Sequence, residues 1–164
     1  MIQLSTRTGT VLLRIAVSDD LDAILGLLAD DPISASRGDI ASPGDRPAYE
    51  RAFSAITADP AHQLLVATKA DELIATMQLT VIPGLARVGA SRLQIEAVRV
   101  RSDNRNGGLG AAMIRWAVEQ APELGCTLVQ LTSDAARVDA HRFYERLGFT
   151  ASHVGFKLSV PPFR

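Results

Sequence analysis

The chain has 164 residues, 47% of them hydrophobic and 21% charged, with a formal net charge of -1, which is the composition of one ordinary globular domain. So neutral a balance excludes the global attraction that nucleic acid or an anionic membrane would exploit, and no apolar run approaches the ~20 residues of a membrane helix. A lone cysteine, Cys126, excludes an intramolecular disulfide and fits a reducing compartment; with no secretory-type leader, the expectation is a cytoplasmic protein with neither nucleic acid nor membrane as partner.

Residues 1–10 are polar and read as a flexible lead-in to a single domain spanning 11–160. Val11 to Val17 reads as the first strand. Ser18 and Asp19 then offer helix caps, and Leu21, Ile24, Leu25 and Leu28 share one helical face that stops before Pro32. The polar, proline-bearing stretch 30–47 is a long connection of the kind that serves as a binding loop. Tyr49, Ala52, Phe53 and Ile56 repeat at i, i+3, i+4 and i+7, a second helix that Asp59-Pro60 ends. Leu64 to Lys69 and Leu73 to Val81 read as a hairpin turning at Asp71 and Glu72. After the Pro83-Gly84 loop, Arg92 to Val100 is a strand.

Ser102 to Gly108 contains no apolar residue and is rich in Asn and Gly, a turn-forming loop. From Leu109 the period changes, and Leu109, Ala112, Met113, Trp116 and Ala117 line one face of a third helix that reaches about Ala121, before Pro122. Leu128 to Thr132 suits a buried strand, about Ala136 to Leu147 a fourth helix, and Ser152 to Leu158 a last strand. Cys126 falls at the start of a buried strand, where packing is its expected role.

Strand, glycine loop and helix in succession make an anion-binding device. The first helical turn has amide N–H groups without intrahelical partners, and the aligned peptide dipoles make that end partly positive. Gly107, Gly108 and Gly110 keep side chains away from the backbone, and Arg105 adds a fixed positive charge. The loop contains no lysine, so it is not a P-loop, and Met113 stands where a dinucleotide fingerprint needs its third glycine. A tight strand-to-helix turn without a ligand is the plainer alternative.

The pattern Arg105-x-x-Gly108-x-Gly110 after Val98-Arg99-Val100 resembles the acyl-CoA pyrophosphate loop of the GNAT superfamily of N-acyltransferases. A second match follows: Ala140, Tyr144, Gly148 and Phe149 stand at the spacing of that family's other signature. The resemblance covers about Leu12 to Leu158. It implies an α/β fold with a central mixed, mostly antiparallel sheet of about six strands, splayed at the cofactor site and flanked by four helices. It also implies acetyl-CoA as co-substrate, an amine acceptor of unstated identity, and a homodimer.

By the same resemblance the cofactor would lie against Val98, Arg99, Val100, Arg105, Asn106, Gly107, Gly108, Leu109, Gly110 and Ala111, with Arg137 and Tyr144 completing the contacts. The Val98 backbone N–H is the expected oxyanion donor, Tyr144 the group beside the departing sulfur and Glu96 the base. Alternatives stand beside these roles. Tyr144 lies on an apolar stripe with Ala140, Phe143 and Leu147, and a plain core residue is the alternative. A phenol near pKa ~10 would hydrogen-bond a thiolate near ~8.5 rather than protonate it downhill. Glu96, placed by alternation on the face of Val98, is otherwise a salt-bridge partner for Arg92 or Arg99. Arg137 stands where many members of the family carry Asn, and would pair with a phosphate or an acidic acceptor. His141 reads as solvated. His62 and His153 lack partners at ligand spacing, so no metal is expected. Asp30, Asp31, Asp39 and Asp45 would wall the site of a cationic acceptor, or are solvated loop charges. The expected activity is an N-acetyltransferase working by direct transfer in a ternary complex; the alternative is a non-catalytic CoA-binding regulatory domain of the same fold.

Overall fold

The computed structural model describes residues 1–30 and 42–160, and they group into two compact units, Met1–Leu131 and Thr132–Arg164. The first unit contains, in order, β1 (Ile2–Thr6), β2 (Gly9–Ile15), α1 (Leu21–Ala29), α2 (Arg46–Ala58), β3 (His62–Lys69), β4 (Glu72–Ile82), α3 (Ala86–Gly89), β5 (Ser91–Val100), α4 (Leu109–Gln120) and β6 (Cys126–Leu131). The second contains α5 (Val138–Arg146).

The six strands form one sheet in the order β1-β2-β3-β4-β5-β6. The first four pairings are antiparallel and β5–β6 is parallel, so the expected mixed, mostly antiparallel sheet is present. Leu64, Leu65, Val66 and Ala67 are buried in succession on β3, as only a strand covered on both faces can be. On one face Ala16, Ile24, Leu64 and Val66 form a cluster with Leu28, Phe53, Ile56 and Leu73, which is where the apolar stripes of α1 and α2 are spent. Helix α4 packs against β1, β4 and β5 and buries Leu109, Met113, Ile114 and Ala117.

Several expectations need correction. Residues 1–10 are not a loose lead-in: Ile2–Thr6 pairs along β2, with Leu4 opposite Val11, and Leu4 is buried. A mostly polar stretch is enough for an edge strand, with Leu4 meeting the core and Ile2 half-buried beside it. The residue that precedes α1 is Asp20, not Ser18 or Asp19, and its side chain makes no capping bond to the helix. Asp20 accepts the Val17 N–H at 2.8 Å and a bidentate pair of bonds from Arg14 at 2.6 and 2.8 Å. A fifth, four-residue helix, α3, joins the four expected; Arg87 and Val88 within it have φ of 55° and 60°, a left-handed turn that periodicity does not reveal. No strand forms over Ser152–Leu158: residues 150–160 are outside any ladder and exposed, among them Val154, Phe156, Leu158 and Val160. Their alternation is that of a strand, but alternation supplies no hydrogen-bonding neighbour. Most of the long connection, including Asp31 and Asp39, lies outside the described residues.

Candidate active site

Two features of β5 build the site. First, its pairing with β6 ends at Ile95–Leu131, so among the described residues no strand lies along the β6-side edge of β5 beyond Ile95. Second, β5 carries a bulge: Gln78 pairs with Glu96 and Thr76 with Arg99, so Ala97 and Val98 together oppose Met77. Ala97 takes up the extra residue at φ 50°, a left-handed conformation that a non-glycine residue adopts at some cost. The Arg101 N–H donates to the Ile74 carbonyl at 2.8 Å. Backbone direction alternates along a strand, so Val100 presents its polar groups to the open edge.

The bulge overturns the facial argument for Glu96. Residues paired across strands share a face, so Glu96 stands with Arg99 and Thr76, and the alternation that would align it with Val98 is broken. Glu96 is also exposed rather than enclosed in the sheet centre. Arg99 donates to its neighbour's carbonyl, Val98 O, at 2.9 Å.

From Val100 a short 3₁₀ turn, Ser102–Asn104, leads to Asn106 at φ 62° and Gly108 at φ 88°. Gly108 is the residue from which α4 starts, and its carbonyl accepts the Ala112 N–H at 3.0 Å. The N–H groups of Leu109, Gly110 and Ala111 form the first turn, where no intrahelical acceptor exists. The glycines serve more than ligand access. A Cβ on Gly107 would lie 3.1 Å from Thr8 Oγ1 and 3.2 Å from Thr8 Cγ2, so glycine here admits the chain's own β1–β2 turn; Gly108 is needed for its φ.

Arg105 is not a free charge at the loop mouth. Its Nε donates to Val100 O at 2.9 Å and its Nη2 to Asp30 O at 3.1 Å and Asp30 Oδ2 at 3.3 Å. The Ser102 N–H also reaches Asp30 Oδ2, at 3.2 Å. The end of α1 is thereby tied to the loop, and Asp30 is an anchor rather than a solvated wall charge. Asp45 is likewise engaged: it accepts from Ser42 N at 2.8 Å and Ser42 Oγ at 2.7 Å, bonds that hold its carboxyl below the usual range. Arg101 bonds Asp103 at 2.7 Å and Glu72 at 3.0 Å, pinning the 3₁₀ turn to the start of β4.

In the second unit, Tyr144 is half-buried on α5, with the Phe143 ring edge-on at 5.1 Å and the Phe149 ring at 6.0 Å. Gly148, at φ 92°, ends the helix, and the Phe149 N–H returns to Tyr144 O at 3.1 Å. The Tyr, Gly and Phe of the second signature are thus a helix stop that folds one ring onto another. Arg137 is the residue before α5, and its carbonyl accepts the His141 N–H at 3.0 Å. His141 is not solvated, since its Nε2 bonds the Asp134 carbonyl at 2.8 Å.

The first unit therefore brings together Val98, Arg99, Val100 and Arg105–Ala111, whereas Arg137 and Tyr144 belong to the second. Arg7 and Thr8, at the tip of the β1–β2 turn, escaped the sequence reading because nothing local connects them to a loop a hundred residues away. A cavity of about 270 Å³ lined by Met1, Arg14, Gln63, Trp116 and Glu123 among others contains none of these residues. Among the described residues no group of three His, Cys, Asp or Glu side chains is placed to hold a metal, and no helix is long and apolar enough to cross a membrane.

A sheet that opens beside a bulged strand, followed by a glycine turn into a helix, defines a class of acyltransferases. Residues 26–149 match the model of the acetyltransferase (GNAT) family, and the chain belongs to that family. Over 144 residues it is 27% identical to an aminoalkylphosphonate N-acetyltransferase of Salmonella typhimurium, covering 88% of each chain. Among solved structures it is similar to a transcriptional regulator from Bacillus halodurans (40% identity, TM-score 0.84, 92% of this chain and 99% of that one). An acetyltransferase from Trypanosoma brucei is similar at 25% identity and TM-score 0.74, over 92% of this chain and 99% of that one.

Proposed function

We propose that the chain transfers an acetyl group from acetyl-CoA to a primary amine by direct attack within a ternary complex. The observation that carries this reading is the unpaired edge of β5 past Ile95, which runs straight into the glycine turn and the first turn of α4. An extended pantetheine arm would add to that edge as a strand, with its pyrophosphate at the helix N-terminus. Holding donor and acceptor together removes several kcal/mol of barrier without a covalent enzyme intermediate.

The amine nitrogen attacks the thioester carbon, the carbonyl oxygen gains charge, and the C–S bond breaks as the CoA sulfur leaves with the electron pair. The Val98 N–H is assigned to the oxyanion, a role worth roughly 3 kcal/mol per donor in other enzymes. The Tyr144 hydroxyl is assigned to the leaving sulfur. Glu96, exposed as it is, accepts the amine proton through water. The acceptor is a small amine, and the name of the Salmonella relative makes aminoalkylphosphonates the first compounds to assay.

The test is CoA release from acetyl-CoA in the presence of a panel of amines, aminoalkylphosphonates included. Amine-dependent release should fall about 100-fold in Tyr144→Phe, the scale of one lost hydrogen bond to the developing thiolate, with the CoA dissociation constant changed less than about twofold. The similarity to a transcriptional regulator from Bacillus halodurans favours a second reading: a domain that binds CoA and transfers nothing. That reading predicts binding without amine-dependent release in the wild-type protein.

A further inference from the structure

We propose that Arg7, on the turn between β1 and β2, is a positioning residue for the anion loop, aiming two of its amide groups at the donor's pyrophosphate. The proposal rests on the acetyl-CoA reading above. Two bonds join the turn to the loop. The Arg7 N–H donates to Gly107 O at 3.0 Å, and the Arg7 guanidinium donates through Nη2 to Asn106 O. The contact is close along its length: Thr8 packs where a Gly107 Cβ would stand, and Arg7 Cγ lies 3.9 Å from the corresponding position on Gly108.

The consequence follows from peptide planarity. No peptide among the described residues is cis, so in each unit the N–H points opposite to its C=O. Fixing Asn106 O on Arg7 turns the Gly107 N–H away from the hairpin, and fixing Gly107 O turns the Gly108 N–H away from it. These are the two amides immediately before the first turn of α4. Asn106, which precedes both amides, has φ 62°, a left-handed conformation that costs a non-glycine residue and that the hairpin's bond to its carbonyl supports. The turn is itself anchored: Lys69 Nζ donates to Thr8 O at 3.1 Å, and Thr6 Oγ1 to Gly9 O at 2.6 Å. A rigid hairpin therefore holds the loop with its donors already aimed, so the ligand need not order them on binding.

The experiment compares the wild type with Arg7→Lys, Arg7→Met and Arg7→Ala by calorimetric titration with CoA and, separately, with pantetheine, which has the arm but no pyrophosphate. Arg7→Met and Arg7→Ala should weaken CoA about tenfold and Arg7→Lys about threefold, the scale of one hydrogen bond to a charged group. Pantetheine should lose less than about a fifth as much. Equal losses for both ligands, or unchanged CoA affinity, would overturn the proposal, because a merely structural residue does not discriminate between them. Ligand-free unfolding midpoints identify which variants are folded, and Arg7→Lys carries the comparison if the shorter side chains do not fold. A wild-type protein that fails to bind CoA would overturn the acetyl-CoA reading; a wild type that binds CoA beside variants that bind equally well overturns the role of Arg7 alone.

Discussion

Asp20 is the most committed charged residue of the first unit. It is 8% exposed, and the Arg14 guanidinium beside it, with the Val17 N–H, holds its carboxyl below the usual range. A depressed carboxyl contributes stability that is complete above its unfolded value, about pH 4, and lost as the pH falls through the lower folded value. Asp20→Asn should therefore cost about 2 kcal/mol at neutral pH, and the gap between variant and wild type should close in unfolding curves taken at progressively more acidic pH. A gap independent of pH would mean that the lost contacts, not the charge, carried the effect. Cys126 is the reverse case. It is 4% exposed and burial pushes its thiol up, so a thiol-specific reagent should modify it only under unfolding conditions, with stoichiometric labelling of the native protein as the contrary result.

At the scale of elements, the glycine turn and the hairpin that leans on it form one assembly. Gly107→Ala should push against Thr8 at 3.1 Å, costing about 1 kcal/mol of stability and weakening CoA binding. Thr8→Ala removes both atoms that would be touched, so the double variant should recover most of the loss. A double-mutant cycle with no coupling would place the strain elsewhere. This contact also shows where sequence reading runs out. The period change at Leu109 and the loop chemistry of 102–108 were legible because they are local properties of the chain. The hairpin over the loop, the bulge at Ala97 and the ladder of β1 depend on pairings between distant segments, and no spacing rule within one segment encodes them. The bulge did most damage, because one extra residue moved Glu96 out of step with Val98 and removed its supposed burial. The tail failed in the opposite sense: 152–158 has the alternation of a strand, yet an amphipathic period is only half of what a ladder needs.

Across the whole molecule, the class of fold was legible because two signatures stand apart in the chain and in the right order, and each proved to have a physical cause. The first is a left-handed glycine opening a helix at the open end of a sheet; the second is a glycine stop that folds Phe149 onto Tyr144. What the signatures do not encode is the acceptor, since acceptor pockets arise from variable loops and a fold does not fix a substrate. The central claim, that this fold is used here to bind an acyl-CoA, is tested most directly by thermal unfolding with acetyl-CoA, CoA, ATP and NAD, each at about 100 times a micromolar dissociation constant. Binding at that ratio adds about 2.7 kcal/mol, a shift of several degrees for a chain of this size. The account predicts that shift with acetyl-CoA and CoA and not with ATP or NAD, and its loss in a folded Gly108→Asp variant. No shift with either CoA species, or an equal shift with ATP, would contradict it.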